Sequence, residues 1–239
     1  MNLAPKGHLH PMTQLIRETQ TIFQDLGFEV ASGPELETEH FNFDALNIPS
    51  DHPARDMQDT FWIKPQKESK ERPVLRTHNT SATARALAQC KNEFPIRKIF
   101  PGKVFRNEAT DATHEAQFYQ LDGVYVDKKG KVSLADLKST LLYYYRKILG
   151  DDVEIQFRPS YFSFTEPSAE VWVKFKDRWL EVMGSGMIHQ NVLREAGVDP
   201  DEWCGFAFGG GIDRLLMIKY GVDDIRSLYS GDLRFVNQF

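Results

Sequence analysis

Two short runs of this 239-residue chain bring together residue types that handle phosphates and bases. The first is Phe105-Arg106-Asn107-Glu108, followed by Asp111-Ala112-Thr113-His114-Glu115 and then Phe118-Tyr119-Gln120-Leu121-Asp122. On a strand, Arg106 and Glu108 point to one face, because strand side chains alternate. A guanidinium and a carboxylate at that separation can hold a phosphate and an amine-bearing base. They can equally form a structural ion pair across a sheet. Alternation also puts Phe118, Gln120, Asp122, Val124 and Val126 on one face of a second strand. A face carrying Gln and Asp beside Phe is not a pure core face. The second run is Gly205-Phe206-Ala207-Phe208-Gly209-Gly210-Gly211-Ile212-Asp213-Arg214. Its glycines let a backbone approach a ligand closely. Arg214 falls in the first turn of a helix, where a cation opposes the helix dipole unless an anion is near. A glycine-rich turn with a surface arginine fits the same spacing without a ligand. The run is neither GxGxxG nor GxxxxGK[ST], so neither the dinucleotide nor the P-loop mechanism is supported.

Other chemistries are poorly served. Cys90 and Cys204 lie far apart with no CxxC, which argues against a disulfide scaffold or a cysteine zinc site and fits a reducing compartment. His8, His10, His40, His52 and His189 show no HExxH or paired metal spacing. With 29 Lys plus Arg against 34 Asp plus Glu, the formal net charge is -5; the chain is not basic all over, although a local basic groove is compatible with that total. No apolar run approaches the roughly 20 residues of a membrane span, and the N-terminus has no signal-peptide stretch. A cytoplasmic protein is expected.

The elements that must position these residues are legible in outline. Pro11 opens a helix that runs through Leu15, Ile16, Thr19, Ile22, Phe23 and Leu26 to a stop at Gly27. An extended stretch at 28–32 leads into Gly33-Pro34. Residues 80–90 are alanine-rich and helical. Extended runs at 97–106 and 117–127 flank a polar turn region. Ser133 with Asp136 resembles a capping box and opens a helix ending at Gly150. Strands are expected at 153–158, 169–175 and 178–183, the last two joined by a turn at Lys176-Asp177. A helix around 189–196, a glycine-rich strand at 204–211 and a helix at 212–220 follow. The charged run KPQKESKER at 64–72 reads as an exposed loop. Clustered strands without regular βαβ alternation favour an antiparallel α+β domain.

The two chemical runs together resemble motifs 2 and 3 of the class II aminoacyl-tRNA synthetases, and Gly33-Pro34-Glu35 resembles motif 1. The likeness narrows further. GHLHP at 7–11, FNFDALNIPSDHPARDMQDTFW at 41–62, RTHNTSATAR at 76–85, RPSYFSFTEPSAEV at 158–171 and GFAFGGGIDRLLMIKYGVDDIR at 205–226 are similar to the phenylalanyl-tRNA synthetase α subunit. These ordered blocks extend from about Gly7 to the C-terminus. The resemblance implies one class II catalytic domain over 1–239, an antiparallel sheet flanked by helices.

The resemblance also implies roles. Arg106 matches the arginine that holds the ATP α-phosphate and the amino-acid carboxylate, and Arg214 the motif 3 arginine near the γ-phosphate. Glu108 matches the acid that reads the adenine amino group, Phe118 the aromatic that stacks on adenine, and His114 a histidine near the phosphates. Trp62, His78, Thr80, Gln120 and Asp122 match groups around the α-amino end of phenylalanine. Phe162 and Phe164 match the pair that packs on the substrate ring, and Ala207 and Gly209 the small residues that leave it room. Glu181 is a candidate for placing Mg²⁺, which prefers carboxylates and phosphate oxygens; a plain strand-face acid is the alternative. The implied partners are phenylalanine, ATP, tRNA(Phe), and either a β subunit or a second copy through motif 1, with no membrane. A non-catalytic or acceptor-switched synthetase paralogue is the rival reading; Arg106, Glu108 and Arg214 together argue against the first form, and Phe162, Phe164 and Ala207 against the second.

The sequence departs from the family in places. Relatives often carry Glu where Asp122 stands, and the shorter acid leaves room for a water. Thr80-Ser81-Ala82-Thr83 looks like the archaeal and eukaryotic version of the segment, while the flanking blocks look bacterial. The family's helical N-terminal extension, which contacts tRNA, has no counterpart before the catalytic blocks, so weak tRNA charging by this chain alone is expected.

Overall fold

A computed structural model describes residues 7, 9–55, 60–64, 71–90, 93–112 and 114–239. Most of the charged run at 64–72 therefore lies outside the described residues.

Helix α1 (Pro11–Asp25) starts with proline at its first position and His10 accepting from the Met12 N–H. It stops where Gly27 turns to φ +79°; the N–H of Phe28 reaches back to the Phe23 carbonyl and that of Gly27 to the Gln24 carbonyl, each at 2.9 Å. That bond pair is a Schellman stop, which the φ > 0 tolerance of glycine permits. After it come β1 (Glu29–Val30), β2 (Leu36–Thr38), α2 (Glu39–Asn42), β3 (Pro73–Leu75), α3 (Thr80–Gln89), β4 (Ile96–Phe105) and β5 (Gln117–Lys128). Helix α4 (Leu134–Leu149) opens with the anticipated Ser133–Asp136 capping box. Strands β6 (Ile155–Phe162), β7 (Thr165–Phe175) and β8 (Arg178–Ile188), helix α5 (Gln190–Glu195), strand β9 (Trp203–Gly211), helix α6 (Ile212–Tyr220) and a terminal turn α7 (Leu233–Val236) complete the order.

The main sheet has seven strands in the order β1-β4-β5-β9-β8-β7-β6. It is antiparallel except at one edge, where β1 runs parallel to β4, so the sheet is mixed rather than purely antiparallel. Side-chain parity divides its two faces. Leu121, Tyr125, Phe206 and Phe208 face a core shared with α1, α4 and α6. Val124, Val126 and Ala207 face the other way and pack under α3 and α5. Further along that second face, β5 presents Phe118, Gln120 and Asp122 to a cavity, with the N-terminus of α3 at its edge.

Two boundaries differ from expectation for a physical reason. Strand β4 ends at Phe105, one residue before Arg106, so Arg106 and Glu108 do not share a strand face. Their proximity survives: the Arg106 N–H still bonds the Ala116 carbonyl at 3.0 Å before the chain leaves the sheet. Strand β8 continues past the expected end at Met183, through Gly184-Ser185-Gly186 to Ile188. Position 184 is glycine because a Cβ there would come within 2.8 Å of Phe162 Cζ; a glycine inside a strand often marks such a close approach. Among the described residues no helix is long and apolar enough to cross a membrane.

Candidate active site

A cavity of about 500 Å³ opens on the face of the sheet that carries Phe118, Gln120 and Asp122. Its floor is a lateral row: Asp122 on β5 pairs with Gly209 on β9, which pairs with Gly184 on β8. At Gly209 a Cβ would lie 2.7 Å from Asp122 Oδ2. This glycine therefore makes room for the carboxylate, and Gly184 is the one that makes room for an aromatic ring.

One side of the cavity is built on the N-terminus of α3. Thr80 donates to Asp122 Oδ2 at 2.6 Å, and the Asn79 N–H donates to the Gln120 side chain at 3.3 Å. The Asn79 amide also ties down the carbonyls of Phe100, Gly102 and Gln120, which fixes α3 on the sheet. Asp122 is 3% exposed, and among the described residues its Oδ1 has no hydrogen-bond partner. Burial pushes its carboxyl up to about 7; the Thr80 bond and the charges of Arg76 and Arg106 oppose the shift without cancelling it. His78 lines the same cavity, and among the described residues neither of its ring nitrogens is hydrogen-bonded. Burial, with help from the Arg106 charge, holds His78 down at about 3, while the Asn42 backbone, outside hydrogen-bonding geometry, works the other way. His78 is thus neutral at physiological pH. Phe162 and Phe164 close this side, their rings stacked at 5.7 Å between centroids with planes 14° apart.

The opposite side is more open. The Arg106 guanidinium sits 5.2 Å from the centroid of the Phe118 ring, 4.0 Å from Glu108, and donates to the Thr77 carbonyl at 3.2 Å. Arg214 is exposed and donates to the Glu181 carbonyl at 2.9 Å. Burial, then the neighbouring Glu170, pushes the Glu181 carboxyl up, against the pull of Arg214. His114 is exposed and holds Asp111 through both its backbone N–H and its ring.

Thus Arg106, Glu108, His114, Phe118, Gln120, Asp122, His78, Thr80, Phe162, Phe164, Glu181, Ala207, Gly209 and Arg214 all line one cavity. Trp62 does not. It bridges to Val74 and packs against Phe43 at 5.8 Å between ring centroids, with the Arg72 guanidinium 4.0 Å from its ring centroid. Phe43, not Trp62, reaches the cavity.

Sequence reasoning missed Asp213. This carboxylate, 2% exposed, accepts from the Tyr119 N–H at 2.7 Å and from the Tyr229 hydroxyl. Burial pushes it up to about 6. Its position beside Arg214 in the glycine-rich run was the available signal.

The sequence has clear relatives among known proteins. The family described as tRNA synthetases class II core domain (F) matches residues 1–239. The phenylalanine–tRNA ligase alpha subunit of Pelodictyon phaeoclathratiforme is 48% identical over 98% of this chain and 70% of its own length. Those of Chlorobium limicola and Bacillus mycoides are 47% and 46% identical over 98% of this chain, covering 70% and 69% of their lengths. A family model matching the whole chain, together with relatives 46–48% identical over nearly all of it, shows that the chain belongs to the phenylalanine–tRNA ligase alpha-subunit family of class II tRNA synthetases.

Proposed function

We infer that the chain activates L-phenylalanine with ATP, giving phenylalanyl-adenylate and pyrophosphate, and passes the phenylalanyl group to tRNA(Phe). The observation that carries this reading is convergence: residues from sequence blocks as far apart as His78 and Arg214 line a single cavity. In the reaction a phenylalanine carboxylate oxygen bonds to the α-phosphorus as the bond from that phosphorus to the bridging oxygen breaks, and pyrophosphate leaves with the electron pair. Arg106 is suited to the charge that grows at the α-phosphate, and Arg214 to the far phosphates; fixed cations placed where charge develops are the main catalytic resource for such a step. Phe118 and Arg214 offer the adenine two faces, and Glu108 accepts from its amino group.

Asp122 pairs with the substrate ammonium, which supplies the partner its Oδ1 lacks among the described residues. The neutral His78 and the Gln120 amide offer hydrogen bonds without adding charge. The substrate ring packs with Phe162 and Phe164 over Ala207. For Mg²⁺ the fit rests on Glu181 and its repulsion by Glu170, which a cation relieves. Mg²⁺ commonly takes one or two carboxylates plus substrate phosphates, and among the described residues no group of three acidic, His or Cys ligands is assembled. Glu181 would hold the ion together with the phosphates; the ion supplies neutralisation of phosphate charge. We read residues 1–239 as one catalytic domain working in the cytoplasm, with a β subunit, or a second copy through the segment around Pro34, as protein partner.

Amino-acid-dependent ATP–pyrophosphate exchange across all twenty amino acids tests the reading. Exchange with phenylalanine alone is expected. Exchange with none, by folded protein, or with another amino acid in preference, overturns it.

A further inference from the structure

The segment after α6 makes contacts that the proposed chemistry leaves unused. The Ile225 N–H donates to the Ala112 carbonyl at 2.9 Å, within the stretch between β4 and β5 that carries Glu108 and His114. Ile225 itself is 4% exposed and lines the cavity. The Leu228 carbonyl meets His10 Nε2 at 3.1 Å, at the start of α1. The Tyr229 hydroxyl donates to Asp213 Oδ1, while Asp213 Oδ2 receives the Tyr119 N–H. Asp224 caps this turn by accepting from the Arg226 N–H at 3.0 Å and binds the Arg226 side chain, so the turn has its own internal brace.

Directly, or through Asp213, these contacts link three elements of the nucleotide wall. They are the strand that carries Phe118, the helix that carries Arg214, and the connection that carries Glu108. An aromatic base held between a ring and a guanidinium needs both faces at van der Waals distance, about 3.5–4.0 Å on each side. Phe118 and Arg214 lie on different elements, so their spacing must be set by something that joins those elements. Asp213 joins them directly, through the residue after Phe118 and as the residue before Arg214. Tyr229 holds the second oxygen of the same carboxylate.

We propose that residues 222–229 form a strap that sets the spacing of the nucleotide wall, with Asp213 and Tyr229 as positioning residues. The proposal rests on the reading of that wall as the ATP side of the site. A strap acting there changes the fit of ATP and leaves the phenylalanine side alone, whereas a merely structural contact weakens the whole fold.

Tyr229→Phe deletes one hydroxyl and keeps the ring. In ATP–pyrophosphate exchange it is expected to raise the KM for ATP about tenfold, the loss typical of one hydrogen bond to a charged group. The KM for phenylalanine should stay within about twofold. Asp213→Asn keeps the shape and is expected to shift the ATP KM in the same direction. Hydrogen–deuterium exchange on the unmodified protein supplies a second arm that needs no variant. The β,γ-imido analogue of ATP should slow exchange in peptides covering 222–229, and phenylalanine alone should not. An unchanged ATP KM in both variants, or equal rises in both KM values with a lower Tm, overturns the strap while phenylalanine-dependent exchange in the unmodified protein stands. So does indifference of 222–229 to the nucleotide. Absence of that exchange in the unmodified protein removes the proposed function instead, and the strap with it.

Discussion

The two walls of the cavity reach the same space by opposite routes. On the amino-acid wall Asp122 is buried and His78 is half-buried with both ring nitrogens out of solvent; each has polar atoms unpaired among the described residues, and both are driven far from their ordinary protonation behaviour. On the nucleotide wall Arg106, Glu108 and Arg214 are half-buried or exposed and already touch protein atoms. A buried group without a partner costs free energy until a ligand supplies one. That wall can therefore select by what it lacks, and a substrate without the matching group leaves the cost standing. An open, charged wall works through charge and position, and water competes with it throughout.

The largest effect is expected on the nucleotide wall, where charge meets the reacting phosphate. Arg106→Ala and Arg214→Ala should each lower adenylate formation by about 10²–10³, the usual cost of one transition-state contact, with little loss of Tm, since neither side chain belongs to the core. Near-normal exchange rates in both variants would falsify the assignment of that wall.

Next comes the buried acid. Asp122→Asn is expected to raise the Kd for phenylalanine by roughly 10–100-fold, the cost of a charged hydrogen bond in a dry site. The unmodified protein should also bind phenylalanine more tightly as pH rises from 6 to 8. Asp122 titrates near 7 in the folded protein against an ordinary 3.8, so below that pH an ammonium must first displace a proton, at up to about tenfold per unit. Because the folded value is raised, the same residue favours folding most at pH below the ordinary carboxylate value, and that contribution is lost as pH climbs through about 7. Calorimetric titration with phenylalanine, in buffers of different ionisation enthalpy, reads both the affinity and the released proton. A pH-independent Kd in the unmodified protein would remove Asp122 as the ammonium partner.

How much of this was visible in the sequence follows the same division. The parity of β5 was legible because period two is a property of any strand, so Phe118, Gln120 and Asp122 were correctly grouped. Helices α1 and α4 were legible because their start and stop signals are local: Pro11, Gly27, Ser133 with Asp136, and Gly150. The end of β4 was not, because a strand stops where its partner departs, and nothing in Arg106-Asn107-Glu108 encodes that. The parallel pairing of β1 joins Glu29 to Lys98 and leaves no local trace. The continuation of β8 through Gly184-Ser185-Gly186 is not legible either, because the ring that requires glycine at 184, Phe162, lies on another strand. The tie from Asp213 to Tyr229 was hidden for the same reason. Resemblance supplied the ligand roles, which spacing alone left open between a phosphate clamp and a structural ion pair.

A smaller effect separates shape from charge on the amino-acid wall. Ala207 is buried in the cluster against which Phe164 packs, lines the cavity and pairs with Gly186 across the sheet. Ala207→Gly removes one methyl and should admit para-substituted phenylalanines while phenylalanine is still accepted, a change of about 1–3 kcal/mol in relative activation. The unmodified protein should activate tyrosine poorly, because its hydroxyl would be buried among apolar groups. Exchange rates with phenylalanine, tyrosine and para-chlorophenylalanine decide the matter; equal use of tyrosine and phenylalanine contradicts the pocket.

The smallest effect marks where the amino-acid wall ends. Resemblance put Trp62 at the amino end of the substrate, yet its ring packs against Phe43 and the Arg72 guanidinium and does not line the cavity. What Trp62 can influence is the seat of Phe43, which is 1% exposed and reaches the cavity itself. Trp62→Phe keeps an aromatic surface for Phe43 and gives up part of the contact with Arg72. A half-exposed ring traded for a smaller one should cost stability through lost packing and cation–π attraction, the latter about 0.5–1 kcal/mol at such sites. The KM for phenylalanine should move by less than about threefold, because no substrate contact is removed. A lowered Tm with a nearly constant KM places Trp62 among the supports of the wall. A tenfold rise in KM at unchanged Tm would instead mean that the indole reaches the substrate in the bound state, and the boundary between wall and support would have to be redrawn to include it.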